Sequence, residues 1–250
     1  MIDLRGRNAA VTGAGKGIGR ATCIELARAG ANIFAISRSP SDLESLEREI
    51  APTGVRFVHA VTDLRELTAI RRSVDHAEST LGPIDILVNN AGIAITSPAE
   101  FVSEAEWDAV QDSNIKSAFF CSQAFGHAML GRGRGRIVNI TSQAGVVGLV
   151  DHAAYCASKA ALGMLTKVLA IEWGPRGITV NAIAPTVVLT PLGQRVWGDP
   201  AKGGPMLAKI PVGRFGQPEE VAFMVAYLAS DMAAMINGET ILIDGGYSAQ

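Results

Sequence analysis

Residues 8–20 read NAAVTGAGKGIGR. The first five are mostly apolar and read as a β-strand. Four glycines follow at alternate positions, Gly13, Gly15, Gly17 and Gly19, and a helix-length stretch opens at Gly17. Glycine turns the backbone through positive φ and admits a ligand close to the main chain. The helix N-terminus then offers free N–H groups and the positive end of its dipole to an anion. The spacing is G-x-x-x-G-x-G, from Gly13, Gly17 and Gly19; G-x-G-x-x-G would need a glycine at Ile18. A tight strand–helix turn uses glycine for the same steric reason. The place of this one, after the first strand of an alternating chain, assigns it to a dinucleotide.

That alternation runs outward from the loop. NIFAIS (32–37), VRFVHA (55–60), IDILVN (84–89), RIVNIT (136–141), ITVNAIA (178–184) and TILID (240–244) read as further strands. Several are apolar on successive residues, as strands covered on both faces are. Helical segments lie between them: one from Gly17, one at SPSDLESLEREI, one over 64–81, one or two over 103–131, then about 153–173 and 217–229. Ser41 with Glu44 reads as a capping box. The expected fold is α/β: a doubly wound, mostly parallel sheet of seven strands with helices on both faces. No interior linker appears, so residues 1–250 read as one nucleotide-binding domain. The stretch at about 186–216 is long and irregular, its Gly and Pro breaking any single long helix, and it reads as a substrate lid.

Composition narrows the function. Apolar residues make up 48% of the 250-residue chain, charged residues 18%, and the net charge is −2. With no basic block, a nucleic-acid partner is not expected. Arg132, Arg134 and Arg136 read as helix-end and turn residues. MIDLRGRNAA has no signal-peptide core, and no run of 18 apolar residues marks a membrane span. Cys23, Cys121 and Cys156 form no C-x-x-C pattern, and the four histidines are scattered. The expectation is a cytoplasmic protein with no membrane partner and no metal site.

Two regions carry chemistry. The second strand ends AISRSPSD, placing Ser37 and Arg38 where an NAD site has an acid for the ribose 2′-OH. An arginine there suits a 2′-phosphate, and Lys16 adds a second positive charge. NADP(H) is favoured; Asp42 is near enough to keep NAD(H) open. Asp63, with Leu64, follows the third strand, where it meets an adenine or caps the next helix.

The other region is YCASK, Tyr155 to Lys159. Residues i and i+4 of a helix share a face, about 6 Å apart along the axis. A free tyrosine is ionised about once in a thousand at pH 7, so tuning it by two or three units takes roughly 3–4 kcal/mol. A lysine and the positive end of a nicotinamide can provide that, making Tyr155 an acid/base for a carbonyl/alcohol pair. Ser142 stands in VNITSQAG after the fifth strand, Asn114 in DSNIKSAFF, and NNAG (Asn89 to Gly92) ends the fourth strand. Strand C-terminal ends are where open α/β sheets bind ligands.

Together, TGAGKGIG, NNAG, Asn114, Ser142 with Tyr155 and Lys159, and Pro185-x-x-Val188-x-Thr190 resemble the short-chain dehydrogenase/reductase family over essentially the whole chain. The resemblance implies a Rossmann-type fold in a tetramer or dimer, with a homotetramer expected. It implies Tyr155 as general acid/base, Ser142 on the substrate oxygen, Lys159 on the nicotinamide ribose, and Asn114 holding a water. It places the cofactor on Gly13, Lys16, Gly17, Ile18, Gly19, Ser37, Arg38, Asp63, Leu64, Asn90, Ala91, Gly92, Pro185, Val188 and Thr190. The family usually has Gly where this chain has Thr186. Within the family, PTVVLTPLGQRVWGDP and MLAKIPVGRF are most similar to the dicarbonyl/L-xylulose reductase subgroup, which implies Gln143, His152 and Trp197 as substrate residues. The expected activity is interconversion of a small ketose, sugar or dicarbonyl with its alcohol. A 3-oxoacyl-thioester reductase shares every catalytic residue and stays open, as does an NAD-dependent polyol dehydrogenase. A non-catalytic nucleotide-binding regulator would be expected to lack at least one of the four catalytic residues, all of which are present.

Overall fold

The computed structural model describes residues 2–249. Its centre is a seven-stranded, all-parallel sheet in the order β3-β2-β1-β4-β5-β6-β7. The strands are β1 (Asn8–Thr12), β2 (Asn32–Ser37), β3 (Phe57–Val61), β4 (Ile86–Asn89), β5 (Gly135–Ile140), β6 (Ile178–Pro185) and β7 (Thr240–Ile243). The helices are α1 (Gly17–Arg28), α2 (Pro40–Ile50), α3 (Leu67–Leu81), α4 (Glu104–Gln111), α5 (Ser117–Arg132), α6 (Ala153–Trp173), α7 (Pro191–Trp197), α8 (Pro200–Leu207) and α9 (Pro218–Ala229). Strand order reverses between β1 and β4, and such a switch point opens a crevice at the strand C-termini.

The apolar runs are explained by two cores. Ala9 and Val11 of β1 enter one cluster with Leu26 of α1 and Val225 of α9. Ala10, between them, points to the other face and joins Ile70 of α3 and Phe125 of α5. Side chains alternate across a strand, so a strand covered on both sides needs apolar residues at every position. Phe34 and Phe125 are fully buried, each worth roughly 1.5–3 kcal/mol relative to exposure. By length and composition α6 is apolar enough to cross a membrane. Its Ser158, Lys159, Leu162, Thr166 and Leu169 are nevertheless buried, and the helix packs on β6.

Two local readings are corrected. Helix α2 is capped by Ser39, whose hydroxyl accepts from the Asp42 amide at 3.3 Å, and not by a Ser41/Glu44 box. Pro40 decides this: its fixed φ suits the first helical position, so the cap is the residue before it. The capping boxes lie instead at Ser103/Glu106 and Gln217/Glu220. Residues 186–216 are not wholly irregular. Thr190 and Asp199, each followed by a proline, start the short helices α7 and α8. The neck of this excursion is tied where Leu189 N–H donates to Gly216 O and Gly216 N–H to Val187 O, both at 2.9 Å.

Candidate active site

A cavity of about 610 Å³ lies over the C-terminal ends of the strands. Of the catalytic, cofactor and substrate residues expected from the sequence, all but Gly19 and Asn114 line it. Those two sit one layer behind.

At the glycine loop, φ is +64° at Gly13 and +55° at Gly17. A Cβ on Gly13 would lie 2.9 Å from Ala91 Cα, and one on Gly17 would lie 2.8 Å from Thr190 Cγ2. Gly19 is tighter still: its Cβ would be 2.3 Å from Gly13 O. Asn90 staples the loop to β4, its amide donating to Thr12 O at 2.9 Å and Gly13 O at 3.1 Å. Thr12 Oγ1 accepts from the main-chain N–H of Asn90 and Ala91. Helix α1 has no side-chain cap, which leaves its first-turn N–H groups facing the cavity mouth. Free N–H donors in a cradle kept clear of Cβ atoms fit a pyrophosphate.

Further along, Lys16 Nζ lies 3.3 Å from Asp42 Oδ2. Asp63 neither caps α3, whose N-cap is Glu66, nor stands free. It accepts from the Arg65 guanidinium at 2.5 Å, and this bond, aided more weakly by Arg38, holds its carboxyl down to about 2. Both nearby acids are thus paired, while Arg38 makes no hydrogen bond or ion pair among the described residues and lines the cavity. Arg65 also lines it and was passed over in the sequence; the Asp-x-Arg spacing was the available signal.

At the other end, α6 carries Tyr155 and Lys159 under the end of β5. Lys159 Nζ donates to Ile140 O at 2.9 Å and lies 5.7 Å from the Tyr155 ring centre. Burial pulls its pKa down to about 8, so it still carries its charge at neutral pH. In the dinucleotide-free protein, burial pushes the Tyr155 pKa up, and the neighbouring Ser142 hydroxyl only partly opposes this. Asn114 lies in a π-turn, Asp112–Lys116, and its amide is committed. Oδ1 accepts from Ile93 N–H at 2.8 Å; Nδ2 donates to Ile93 O at 3.0 Å and to Ser158 Oγ at 2.9 Å.

The three expected substrate residues converge. His152 stacks on Trp197, with ring centres 5.6 Å apart and planes 5° apart, and meets Tyr155 edge-on at 6.2 Å. Its Nδ1 donates to Val150 O at 2.6 Å. Gln143 is buried and lines the same wall. Trp197 ends α7, so the folded excursion roofs this end of the cavity.

Comparison with known proteins agrees with this architecture. Residues 13–248 match a family described as Enoyl-(Acyl carrier protein) reductase. L-xylulose reductase of Bos taurus is 44% identical over 99% of this chain and 100% of its own. The NAD-dependent glycerol dehydrogenase of Listeria innocua is 42% identical, covering 99% of this chain and 96% of its own. A crystal structure of a gluconate 5-dehydrogenase from Burkholderia cenocepacia, in complex with NADP and tartrate, superposes with a TM-score of 0.95. It is 35% identical and covers 100% of this chain and 98% of that one.

Proposed function

The chain belongs to the short-chain dehydrogenase/reductase family, and on that premise we propose that it is an NADP(H)-dependent oxidoreductase of small ketoses, sugars or dicarbonyls and their alcohols. The observation that carries the reading is the cluster in which Ser142, Tyr155 and Lys159 line one end of the cavity, with Lys159 Nζ 5.7 Å from the Tyr155 ring centre, beside a wall of Gln143, His152 and Trp197. A bound nicotinamide dinucleotide supplies or accepts the hydride. Ser142 holds the substrate oxygen. Tyr155 gives that oxygen its phenolic proton during reduction and takes it back during oxidation. Lys159 steadies the phenolate between turnovers and holds the nicotinamide ribose. Asn114 positions Ile93 and, through Ser158, α6. The glycine loop and the free N–H groups of α1 hold the pyrophosphate, and Pro185, Val188 and Thr190 flank the nicotinamide.

Arg38, which makes no hydrogen bond or ion pair among the described residues, supports NADP(H) over NAD(H), because Lys16 already engages Asp42, the acid an NAD site would use. Arg38→Asp should lower the NADPH/NADH ratio of kcat/KM by on the order of 10- to 100-fold, the worth of a charge-assisted bond or two. An unchanged ratio removes Arg38 from the cofactor site.

Lys159 yields a second expectation. Its folded pKa lies below its unfolded value, so its cost to the fold is complete below about pH 8 and fades as pH rises toward the unfolded value. Against an ordinary lysine value of 10.5, that cost is on the order of 3 kcal/mol. Lys159→Met loses the bond to Ile140 O yet relieves the charge. The dinucleotide-free protein should therefore melt a few degrees higher, by roughly 2–5 °C, while turnover collapses. A lower melting temperature contradicts the burial argument.

The thioester-reductase reading loses support. Arg134 and Arg132 pair with Asp85, and Arg136 with Asp231. All three lie around the N-terminal end of β5, at the opposite end of the strands from the cavity, so a carrier docked there would not reach Tyr155. A homotetramer is supported by two separate apolar surfaces. One is Phe119, Met164, Val168 and Ile171 on α5 and α6; the other is Phe223, Met232, Met235 and Leu242 near α9 and the open β7 edge. Cys23 and Cys121, buried and unpaired, support a reducing cytoplasmic setting. The direct test is incubation of L-xylulose with NADPH and identification of the alcohol formed. No alcohol from L-xylulose or from a small dicarbonyl refutes the proposal.

A further inference from the structure

We propose that Arg195 holds an acidic group at the far end of the substrate, so that a polyol or ketose ending in a carboxylate is taken in preference to its neutral counterpart. This rests on the ketone-reducing reading above and narrows its substrate class. Among the described residues, five cationic side chains line the catalytic cavity: Lys16, Arg38, Arg65, Lys159 and Arg195. Four of them are accounted for. Lys16 pairs with Asp42 and Arg65 with Asp63, and Lys159 donates to Ile140 O. Arg38 directly follows β2, where a 2′-phosphate would lie. Arg195 makes no hydrogen bond or ion pair among the described residues, and the reaction as derived above gives it no task.

Its place is fixed by both ends of α7. At the first, Thr190 Oγ1 caps the helix by accepting from Gly193 N–H at 3.0 Å, and a Cβ on Gly17 would stand 2.8 Å from Thr190 Cγ2. At the last, Trp197 stacks on His152. Arg195 lies two residues before Trp197. Leu192, one turn earlier on the same helix face, lines the same cavity. The two acids that line this cavity, Asp42 and Asp63, are both paired and both belong to its adenosine end. Asp199, four residues beyond Arg195, spends its carboxylate on the Ala201 amide at 2.9 Å. Asp151 lines a second cavity that shares His152 and Trp197 but not Arg195. An anion at the substrate end therefore meets a cation whose charge no acid has neutralised. One guanidinium matches the planar oxygen pair and single charge of a carboxylate; a phosphate dianion would call for further donors.

The test sets D-xylonate against xylitol. The two differ only in a carboxylate for a terminal CH2OH, and they share the carbinol whose oxidation in xylitol gives L-xylulose. Oxidation of each with NADP+ is followed in wild type, Arg195→Gln and Arg195→Lys. Wild type should favour D-xylonate in kcat/KM by at least about 10-fold. Arg195→Gln should lose roughly 10- to 100-fold on D-xylonate and less than about 3-fold on xylitol, and Arg195→Lys should recover part of the loss. The same order is expected when the two compounds inhibit L-xylulose reduction, which is read whether or not D-xylonate is itself oxidised. The dissociation constant for NADPH, by fluorescence, should stay within about 3-fold in Arg195→Gln. A weakening beyond that would give the guanidinium to the pyrophosphate of the dinucleotide and overturn the proposal. So would equal losses on both compounds, or no preference for the acid in turnover and in inhibition. A wild type that acts on none of the three compounds, with either dinucleotide, refutes the ketone-reducing reading itself.

Discussion

Tyr155→Phe lowers kcat for ketone reduction by on the order of 10³-fold, while the dissociation constant for NADPH, read by fluorescence, stays within a few-fold. Phenylalanine keeps the ring packed edge-on to His152 and removes only the phenolic hydroxyl. The loss therefore falls on proton transfer and not on binding. The pH dependence has a definite sign. Burial raises the Tyr155 pKa, so the residue remains a proton donor throughout the neutral range. Reduction should be nearly flat there, and alcohol oxidation, which needs the phenolate, should gain with rising pH. Near-normal turnover by Tyr155→Phe would remove Tyr155 from the chemistry.

Gly19→Ala weakens NADPH binding by at least about 100-fold and lowers the melting temperature by several degrees, the scale of a 1–3 kcal/mol overpacking. The added Cβ would stand 2.3 Å from Gly13 O and 2.4 Å from Asn90 Nδ2. The first is loop backbone; the second is the amide that staples this loop to β4. Neither can yield without moving Gly13, so the cradle shifts as a unit. Gly131→Ala is the control. It lies in α5 with nothing within 4 Å of its Cβ, and alanine there should stabilise by roughly 0.5–1 kcal/mol. Unchanged NADPH affinity in Gly19→Ala would mean that the glycine loop does not hold the cofactor.

The sheet was legible because both faces of β1, β2 and β4 are covered, which forces apolar residues at every position and leaves no period to misread. The edge was less clear. β3 starts at Phe57, two residues later than the sequence suggested, because it has a single neighbour and is only partly buried. The glycine loop and the Tyr155–Lys159 pair were legible because their residues are close in sequence. The Lys16–Asp42 and Asn114–Ser158 contacts were not, being made between separate elements. The burial of Tyr155 was not legible either, because spacing reveals a nearby charge but not the desolvation around it. Residues 186–216 were read as irregular for want of long periodicity, although Thr190-Pro191 and Asp199-Pro200 were visible helix starts.

The most direct test of the central claim is kcat/KM for NADPH oxidation with L-xylulose, butane-2,3-dione and an acetoacetyl thioester, measured side by side. The account expects turnover of L-xylulose and the dione, with the ketose favoured over the thioester by on the order of 100-fold. Turnover of the thioester alone would contradict it, making the polar wall of Gln143, His152 and Trp197 irrelevant to the substrate.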